Sequence, residues 1–405
     1  MNRRFAWLAG GLILAAPLAG QTSGPSFDNA RLDSIVAYLR TQVDSAFPGA
    51  VVAVGNHNRI ALLAAVGHYG LDDPRPMTPE TVFDLASLTK VIGLTTACML
   101  LVDQKRLDLD APVQHYLPEF TGKGKDKVTI RHLLTHSSGL PAWRPLFRET
   151  ETREAALALV DSTPLDTVPG VRYVYSDLGA IVLTQVVERI TKTRLDQYLD
   201  TAVFKPLGMT TTRYLPPAEW IDRIAPTEMD TAFRHRMIRG EVHDENTGRL
   251  GGISGHAGLF STAGDLARFA EWLLDLSQGR RRSEEVGGGP TPALLRPSPS
   301  SSVLLRSSPS LVKQFTTRQD LPPGSSRAVG WDTPSENSSA GTKMSAHAFG
   351  HTGFTGTSIW LDPDRDLFII LLTNRVHPTR ANTKILRVRP HVADLVVDAL
   401  TDQRP

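Results

Sequence analysis

Phe83-Asp84-Leu85-Ala86-Ser87-Leu88-Thr89-Lys90-Val91-Ile92-Gly93 is the stretch whose reading decides the fold. After the serine, Leu88, Val91, Ile92, Thr95, Cys98, Met99 and Val102 recur at spacings of three and four, the pattern of a helix with a buried face. The spacing predicts that Ser87 lies in the first turn and that Lys90 projects from the same face, about one turn away. A serine hydroxyl is a weak nucleophile at neutral pH and needs a base beside it. A lysine can be that base when burial or neighbouring positive charge holds it neutral. The free N–H groups at a helix start can also stabilise negative charge on a substrate oxygen. Taken alone, Ser-x-x-Lys carries little weight, because a serine ahead of a helix is usually a cap.

On the N-terminal side, residues 28 to 45 have the period of an amphipathic helix, with Leu32, Ile35, Val36, Leu39 and Val43 on one side. A hairpin follows: Ala50 to Val54 and Ile60 to Val66 are strand-like and are joined by Gly55-Asn56-His57-Asn58. On the C-terminal side, Val128 to Leu134 reads as a short helix, and Ile181 to Ile190 and Asp265 to Leu276 as longer ones. Residues 279–327 turn to Ser, Pro, Gly and Arg, and Leu294-Leu295-Arg296-Pro297-Ser298-Pro299-Ser300 is nearly repeated from Leu304 to Ser310. That composition predicts a surface insertion, poorly ordered in part. The end returns to strands, Thr355 to Leu361 and Leu367 to Thr373, around the turn Asp362-Pro363-Asp364-Arg365, and closes with a helix from Val392 to Leu400. The expected architecture is α+β: one antiparallel sheet built from both chain ends and flanked by helices, with a helical lobe inserted. In residue terms, 21–105 with 328–405 form the sheet lobe, 106–278 the helical lobe and 279–327 the insertion, with a cleft at the seam where Ser87 opens its helix.

Before this body, Arg3 and Arg4 precede an uncharged apolar run from Phe5 to Ala19 that ends at Gly20. Residues 1–20 thus have the pattern of a signal peptide, too short for a membrane span, and predict an exported, periplasmic or secreted protein with no stable membrane insertion after cleavage. Without those two arginines, the 44 basic residues of the chain become 42, equal to its 42 acidic ones. Such a balance gives no support to nucleic-acid binding. The single cysteine, Cys98, allows no intramolecular disulfide and no cysteine cluster for zinc.

Two later motifs add chemistry. Tyr175-Ser176-Asp177 precedes an apolar helix, where a phenol held near a lysine can relay protons as base and then as acid; a plain helix start with Asp177 as its cap is the simpler reading. His351-Thr352-Gly353 precedes a strand, where glycine permits close approach and an edge can bind an extended peptide.

In this order the three elements resemble those of the serine β-lactamase and penicillin-binding protein superfamily, whose motifs are Ser-x-x-Lys, Ser-Asp-Asn and Lys-Thr-Gly. The resemblance is closest to the class C β-lactamase, DD-peptidase and esterase branch. Leu133-Leu134-Thr135-His136-Ser137-Ser138-Gly139-Leu140 and Gly255-His256-Ala257-Gly258-Leu259-Phe260-Ser261-Thr262 also resemble that branch, over roughly residues 28 to 400. The resemblance implies that Ser87 is acylated, that Lys90 accepts its proton and that Tyr175 protonates the leaving group and later activates water. It places Asp177, His351, Thr352, Gly353 and Phe354 around the substrate, with the N–H groups of Ser87 and Phe354 as the oxyanion hole. Two positions depart from the pattern. Asp177 replaces the usual asparagine and brings a charge that favours protonated Lys90. His351 replaces the usual lysine, as in some DD-peptidases of the branch. Both weaken the case for an efficient β-lactamase.

The resemblance implies no cofactor and no metal. His243, Asp244, Glu245 and His256 are metal-type ligands, but their spacing fits no standard zinc pattern; they resemble a sub-branch linked to cell-wall turnover, lining the cleft. No Gly-x-Ser-x-Gly elbow is present, so an α/β-hydrolase is excluded. The expected function is an exported serine hydrolase working through an acyl-enzyme on a small-molecule or peptide substrate, a peptidoglycan-derived peptide or amide above all. Its rivals are a carboxylesterase on small acyl esters, a weak β-lactamase and a non-catalytic binder of penicillins or cell-wall peptides.

Overall fold

The computed structural model describes residues 24–280 and 308–401. The expected signal peptide, the first copy of the duplication and most of the second lie outside these residues.

Both chain ends meet in one six-stranded antiparallel sheet. Its order is Asp73–Pro76, Arg59–Gly70, Gly49–Asn56, Leu367–Thr373, Ser358–Asp362 and Phe349–Thr352. The expected hairpin is present, with Asn56 opposite Arg59 and a register irregularity at Val54/Gly55. Strand Gly49–Asn56 is buried along its whole length, which is why it reads as a continuous apolar run rather than an alternating one. Its side chains still alternate by face. Ala50, Val52 and Val54 join Leu32, Ile35, Leu39, Val388, Val392 and Val396 in one core, under the first helix Asn29–Gln42 and the last helix Ile385–Asp398. Val51 and Ala53 belong to the larger core on the other face, with Leu266, Phe269, Ala270 and Leu273 of helix Ala263–Ser277.

Three boundaries differ from the sequence reading, each because tertiary packing overrides a local signal. Helix Ala263–Ser277 lies against strands Gly49–Asn56 and Leu367–Thr373, so it belongs with the sheet and not with the helical lobe. The last helix begins at Ile385 and runs through Pro390, which a local reading treats as a breaker, because Ile385 and Val388 bury ahead of it. Finally, Pro309–Thr316, inside the stretch read as an insertion, is a helix capped by Ser308 that buries Leu311, Val312 and Phe315 in the main core.

Between the strands, residues 106–260 form the helical lobe. Its longest helix is Asp177–Thr191, whose buried face runs from Leu178 to Val187. Among the described residues one segment is long and apolar enough to cross a membrane, Ala86–Asp103, helical from Leu88, and 83% of it is buried inside the protein. It is the core helix after Ser87. Cys98 sits in it, and burial pushes its thiol pKa far up.

Candidate active site

The segment that carries Ser87 is built from strand Phe83–Asp84, paired with Leu259–Ser261. The Asp84 carboxylate accepts from Ala86 N at 2.8 Å and from His243 N at 2.6 Å, closing a tight turn. Ala86 has φ +46°, a left-handed conformation that costs a residue bearing a Cβ about 1–2 kcal/mol. The turn ends in Ser87, which is half-buried; Leu88 is the first helical residue, so the serine stands just ahead of the helix and not in its first turn. The helix then runs as a π-helix over Lys90–Thr95 and an α-helix over Thr96–Asp103, and π-helical turns are frequent at functional sites. The N–H groups of Leu88, Thr89 and Lys90 donate back to Leu85, Ala86 and Ser87, whereas the N–H of Ser87 has no acceptor among the described residues.

Lys90 is 4% exposed. Its Nζ lies 3.0 Å from Ser87 Oγ, 3.0 Å from the His256 carbonyl oxygen and 2.7 Å from Asp177 Oδ1. The last contact is an ion pair by distance, although not aligned as a hydrogen bond, and it leaves Asp177 Oδ1 without a hydrogen-bond donor. Burial alone would depress the lysine pKa, but Asp177 and then Tyr175 outweigh it and hold Lys90 above its ordinary range. The ammonium can donate to Ser87 Oγ, but it can take the serine proton only after losing its own, and Asp177 opposes that loss. Asp177 is not the helix cap. Ser176 is: its Oγ accepts from Gly179 N at 3.2 Å. The carboxylate of Asp177 is thereby left to face Lys90.

Tyr175 places its ring 4.9 Å from Lys90 Nζ, and its hydroxyl is buried without a partner. The ring lies 4.4 Å from that of His136 and 6.0 Å from that of His351, centroid to centroid. His136 Nδ1 accepts from Ser176 N at 3.1 Å, which fixes the approach of the Tyr175 segment. His351 Nδ1 donates to the Thr352 carbonyl at 2.8 Å, so Nε2 carries the lone pair; that atom is buried and unpartnered. Burial first, then Arg327 and Lys90, push His351 well below the ordinary histidine range, so the ring is neutral.

Phe349–Thr352 is the edge strand of the sheet, and the turn after it is bolted to the segment that carries Ser87. Thr355 Oγ1 donates to Asp84 O at 2.7 Å and Thr357 Oγ1 to Leu85 O at 2.9 Å. Gly353 N donates to Thr357 O at 2.7 Å, which delays the next strand to Ser358. A Cβ on Gly353 would lie 2.4 Å from the Leu85 carbonyl oxygen, so only glycine permits this approach. The turn presents Phe354, 47% exposed, with its N–H unclaimed among the described residues. Ser87 and Phe354 thus each offer a free N–H across one short staple.

All the residues expected at the site, Ser87, Lys90, Tyr175, Asp177, His351, Thr352, Gly353 and Phe354, are gathered by these contacts. Two others were not foreseen. His136 stood inside a quoted motif but carried no signal of its own. Arg327 fell in the stretch read as an insertion. Its Cζ lies 5.4 Å from the Tyr175 ring, its Nε donates to Tyr173 Oη at 3.1 Å, and its Nη1 is buried with no partner. Together with His351, Thr352, Asp332 and Arg389, Arg327 lines a cavity of ≈ 360 Å³ whose lining does not include Ser87.

Comparison with known proteins agrees with this geometry. The family described as Beta-lactamase matches residues 32–393. The chain belongs to the β-lactamase family. A protein of Salmonella agona (strain SL483) with the provisional name D-alanyl-D-alanine carboxypeptidase is 31% identical over 396 residues, covering 89% of this chain and 86% of its own. Two solved structures share the fold. EstCE1, a hydrolase with promiscuous acyltransferase activity, has a TM-score of 0.69 at 23% identity and covers 91% of this chain and 99% of its own. A class C β-lactamase has a TM-score of 0.70 at 18% identity, with 93% and 97% covered. As a member of the β-lactamase family the protein is a serine hydrolase, and the family acts on small-molecule or peptide substrates.

Within this β-lactamase fold, the motif Val242 to Asn246 does not form a ligand set. His243 Nε2 pairs with Glu228 Oε2 at 2.8 Å, and Arg380 bridges Glu228 and Glu245 at 2.6 and 2.7 Å. His256 Nε2 lies 2.9 Å from both Asp244 Oδ1 and Thr247 Oγ1, while its Nδ1 is 2.8 Å from Ser254 Oγ. Despite the burial of Asp244, the partner His256 and the Thr247 N–H hold its carboxyl well below the usual range. Among the described residues no three His, Cys, Asp or Glu side chains converge as metal ligands. The cluster meets the site at three points: His243 stacks on Phe354 at 5.7 Å, Arg380 Cζ lies 5.7 Å from the same ring, and the His256 carbonyl accepts from Lys90.

Proposed function

We propose that this β-lactamase-family hydrolase is exported and acts through an acyl-enzyme on peptidoglycan-derived peptides or amides that end in a free carboxylate, as a DD-peptidase or muropeptide amidase. Ser87 Oγ attacks the scissile carbonyl, and its proton passes to Lys90 that has first given up its own proton to solvent, the step Asp177 opposes. The oxyanion takes the N–H groups of Ser87 and Phe354. The C–N bond breaks, Tyr175 returns a proton to the leaving amine, and water activated by Tyr175 hydrolyses the Ser87 ester. The observation that carries the reading is Arg327. A buried guanidinium whose Nε faces Asp332 at 3.8 Å but whose Nη1 is unclaimed, beside a neutral His351 and an unclaimed Tyr175 hydroxyl, can receive a further carboxylate. The provisional name of the Salmonella relative supports the same substrate class. The apolar run after Arg3 and Arg4 supports export.

An esterase on small acyl esters is the second reading, favoured by the exposed aromatic ring of Phe354 at the cleft. The two separate in one assay: an acylated D-Ala-D-Ala peptide, the same peptide as its C-terminal amide, a small chromogenic ester and a penicillin, with intact-mass detection of covalent adducts. Faster turnover of the free-carboxylate peptide than of its amide supports the proposal. Ester turnover with neither peptide cleaved would sink it.

A further inference from the structure

Arg389 lies on the last helix, among Ile385, Val388, Val392 and Val396, and is 7% exposed. Its Nη2 donates to Gly353 O at 2.7 Å and to Thr357 O at 2.8 Å, while its Nε has no partner. Among the described residues no carboxylate stands within ion-pair distance of it. Burial and the neighbouring Arg375 push its guanidinium down to about 9, which leaves it charged at neutral pH. A buried cation without a counter-ion is costly, and two carbonyls can be satisfied by a neutral amide. The charge therefore calls for a use of its own.

The carbonyl it holds supplies that use. Gly353 C=O and Phe354 N–H are the two ends of one peptide unit. A cation bonded to the oxygen withdraws electron density from the nitrogen and makes the N–H a stronger donor, as in any chain of polarised hydrogen bonds. We propose that Arg389 is a positioning residue that fixes the Gly353–Phe354 peptide and strengthens the Phe354 N–H towards the oxyanion. Arg375 completes the clamp from the other end of Phe354: its Nε donates to Phe354 O at 2.8 Å and its Cζ lies 4.5 Å from the ring centre. Both cations thus act through the peptide units on either side of Phe354; Arg389 also lines the cavity shared with Arg327 and His351. The inference rests on the acyl-enzyme reading above, in which that N–H faces the tetrahedral intermediate.

The test compares Arg389→Gln, which keeps donors and loses the charge, with Arg389→Lys, which keeps the charge. For each, kcat and KM are measured on the substrate the parent turns over. Fluorophosphonate labelling of Ser87, affinity for a boronic acid that forms a tetrahedral adduct on the serine, and Tm are measured alongside. We expect Arg389→Gln to lose about tenfold in kcat, less than the roughly 10²–10³ lost when an oxyanion donor is removed outright, with KM little changed and boronate affinity falling in parallel. Arg389→Lys should recover most of that loss. A kcat in Arg389→Gln equal to the parent's overturns the proposal, and so does a lysine variant as impaired as the glutamine one. Should Arg389→Gln not fold, the lysine variant decides alone: kcat within about threefold of the parent supports the charge, and a tenfold loss overturns it. A parent whose Ser87 takes no label refutes the acyl-enzyme reading itself. Labelled variants with parental kcat refute only the role of Arg389.

Discussion

Two groups of buried polar side chains touch Lys90 and its surroundings. On one side, His256 and Asp244 with Thr247 and Ser254, and next to them His243 and Glu228 with Arg380 and Glu245, leave no buried side-chain atom without a partner. On the other, Tyr175 Oη, His351 Nε2 and Arg327 Nη1 are all unclaimed. Single orphaned atoms occur elsewhere, as at Trp272 and His377, but among the described residues only here do several gather, Asp177 Oδ1 and Arg389 Nε among them. An unmade buried hydrogen bond costs about 1–3 kcal/mol. A fold that completes one group and leaves its neighbour open has one group for rigidity and one for a ligand.

That contrast is breakable by mutation. The largest effect belongs to Ser87→Ala, which should abolish fluorophosphonate labelling and lower turnover by roughly 10³-fold or more; labelling that persists would move the nucleophile elsewhere. In the completed group, Asp244→Ala strands His256 and a backbone N–H. Unfolding in urea should show a loss of about 3 kcal/mol, with a far smaller effect on KM. The sign with pH follows from its depressed carboxyl. The stabilisation is present above the unfolded pKa of about 4 and is lost as pH falls through the lower, folded one. The gap between parent and Asp244→Asn should therefore narrow as pH drops below about 4; a gap that widens would contradict it.

In the open group, Arg327→Ala should raise KM for a free-carboxylate peptide by about 10- to 100-fold, the worth of a charge-assisted hydrogen bond. The C-terminal amide should show little change, and equal losses on both would make Arg327 merely structural. Asp177→Asn is subtler. Removing the carboxylate that holds the Lys90 proton should shift the alkaline limb of single-turnover acylation to lower pH. The gain at pH 7 should be about tenfold for each unit moved. Superimposable profiles would end the idea.

Most of the candidate site was legible in the sequence because its members stand at local punctuation. Ser87 and Lys90 share a helix start, Tyr175 and Asp177 stand at another, and His351 to Phe354 end a strand. Spacing reports such places. Arg327 and Arg389 come from segments whose only link to the site is tertiary packing, and no period marks them; His136 lay in a stretch that carried the family resemblance but not its own role. Arg327 was further masked by the Ser- and Pro-rich stretch beside it, just as helix Pro309–Thr316 was. The role of Asp177 needed the structure for a different reason: a carboxylate at a helix start caps it in most chains, and only the Oγ of Ser176, one residue earlier, frees this one to meet Lys90.

The pairing of Gly49–Asn56 with Leu367–Thr373 has a consequence for how the chain is made. Ala50 lies opposite Thr373, so the middle of the sheet cannot close until the ribosome has delivered more than nine-tenths of the polypeptide. Until then the first hairpin has one open edge and only part of its core. Contacts so distant along the chain form slowly, so the last strands to be made decide when the central sheet is complete.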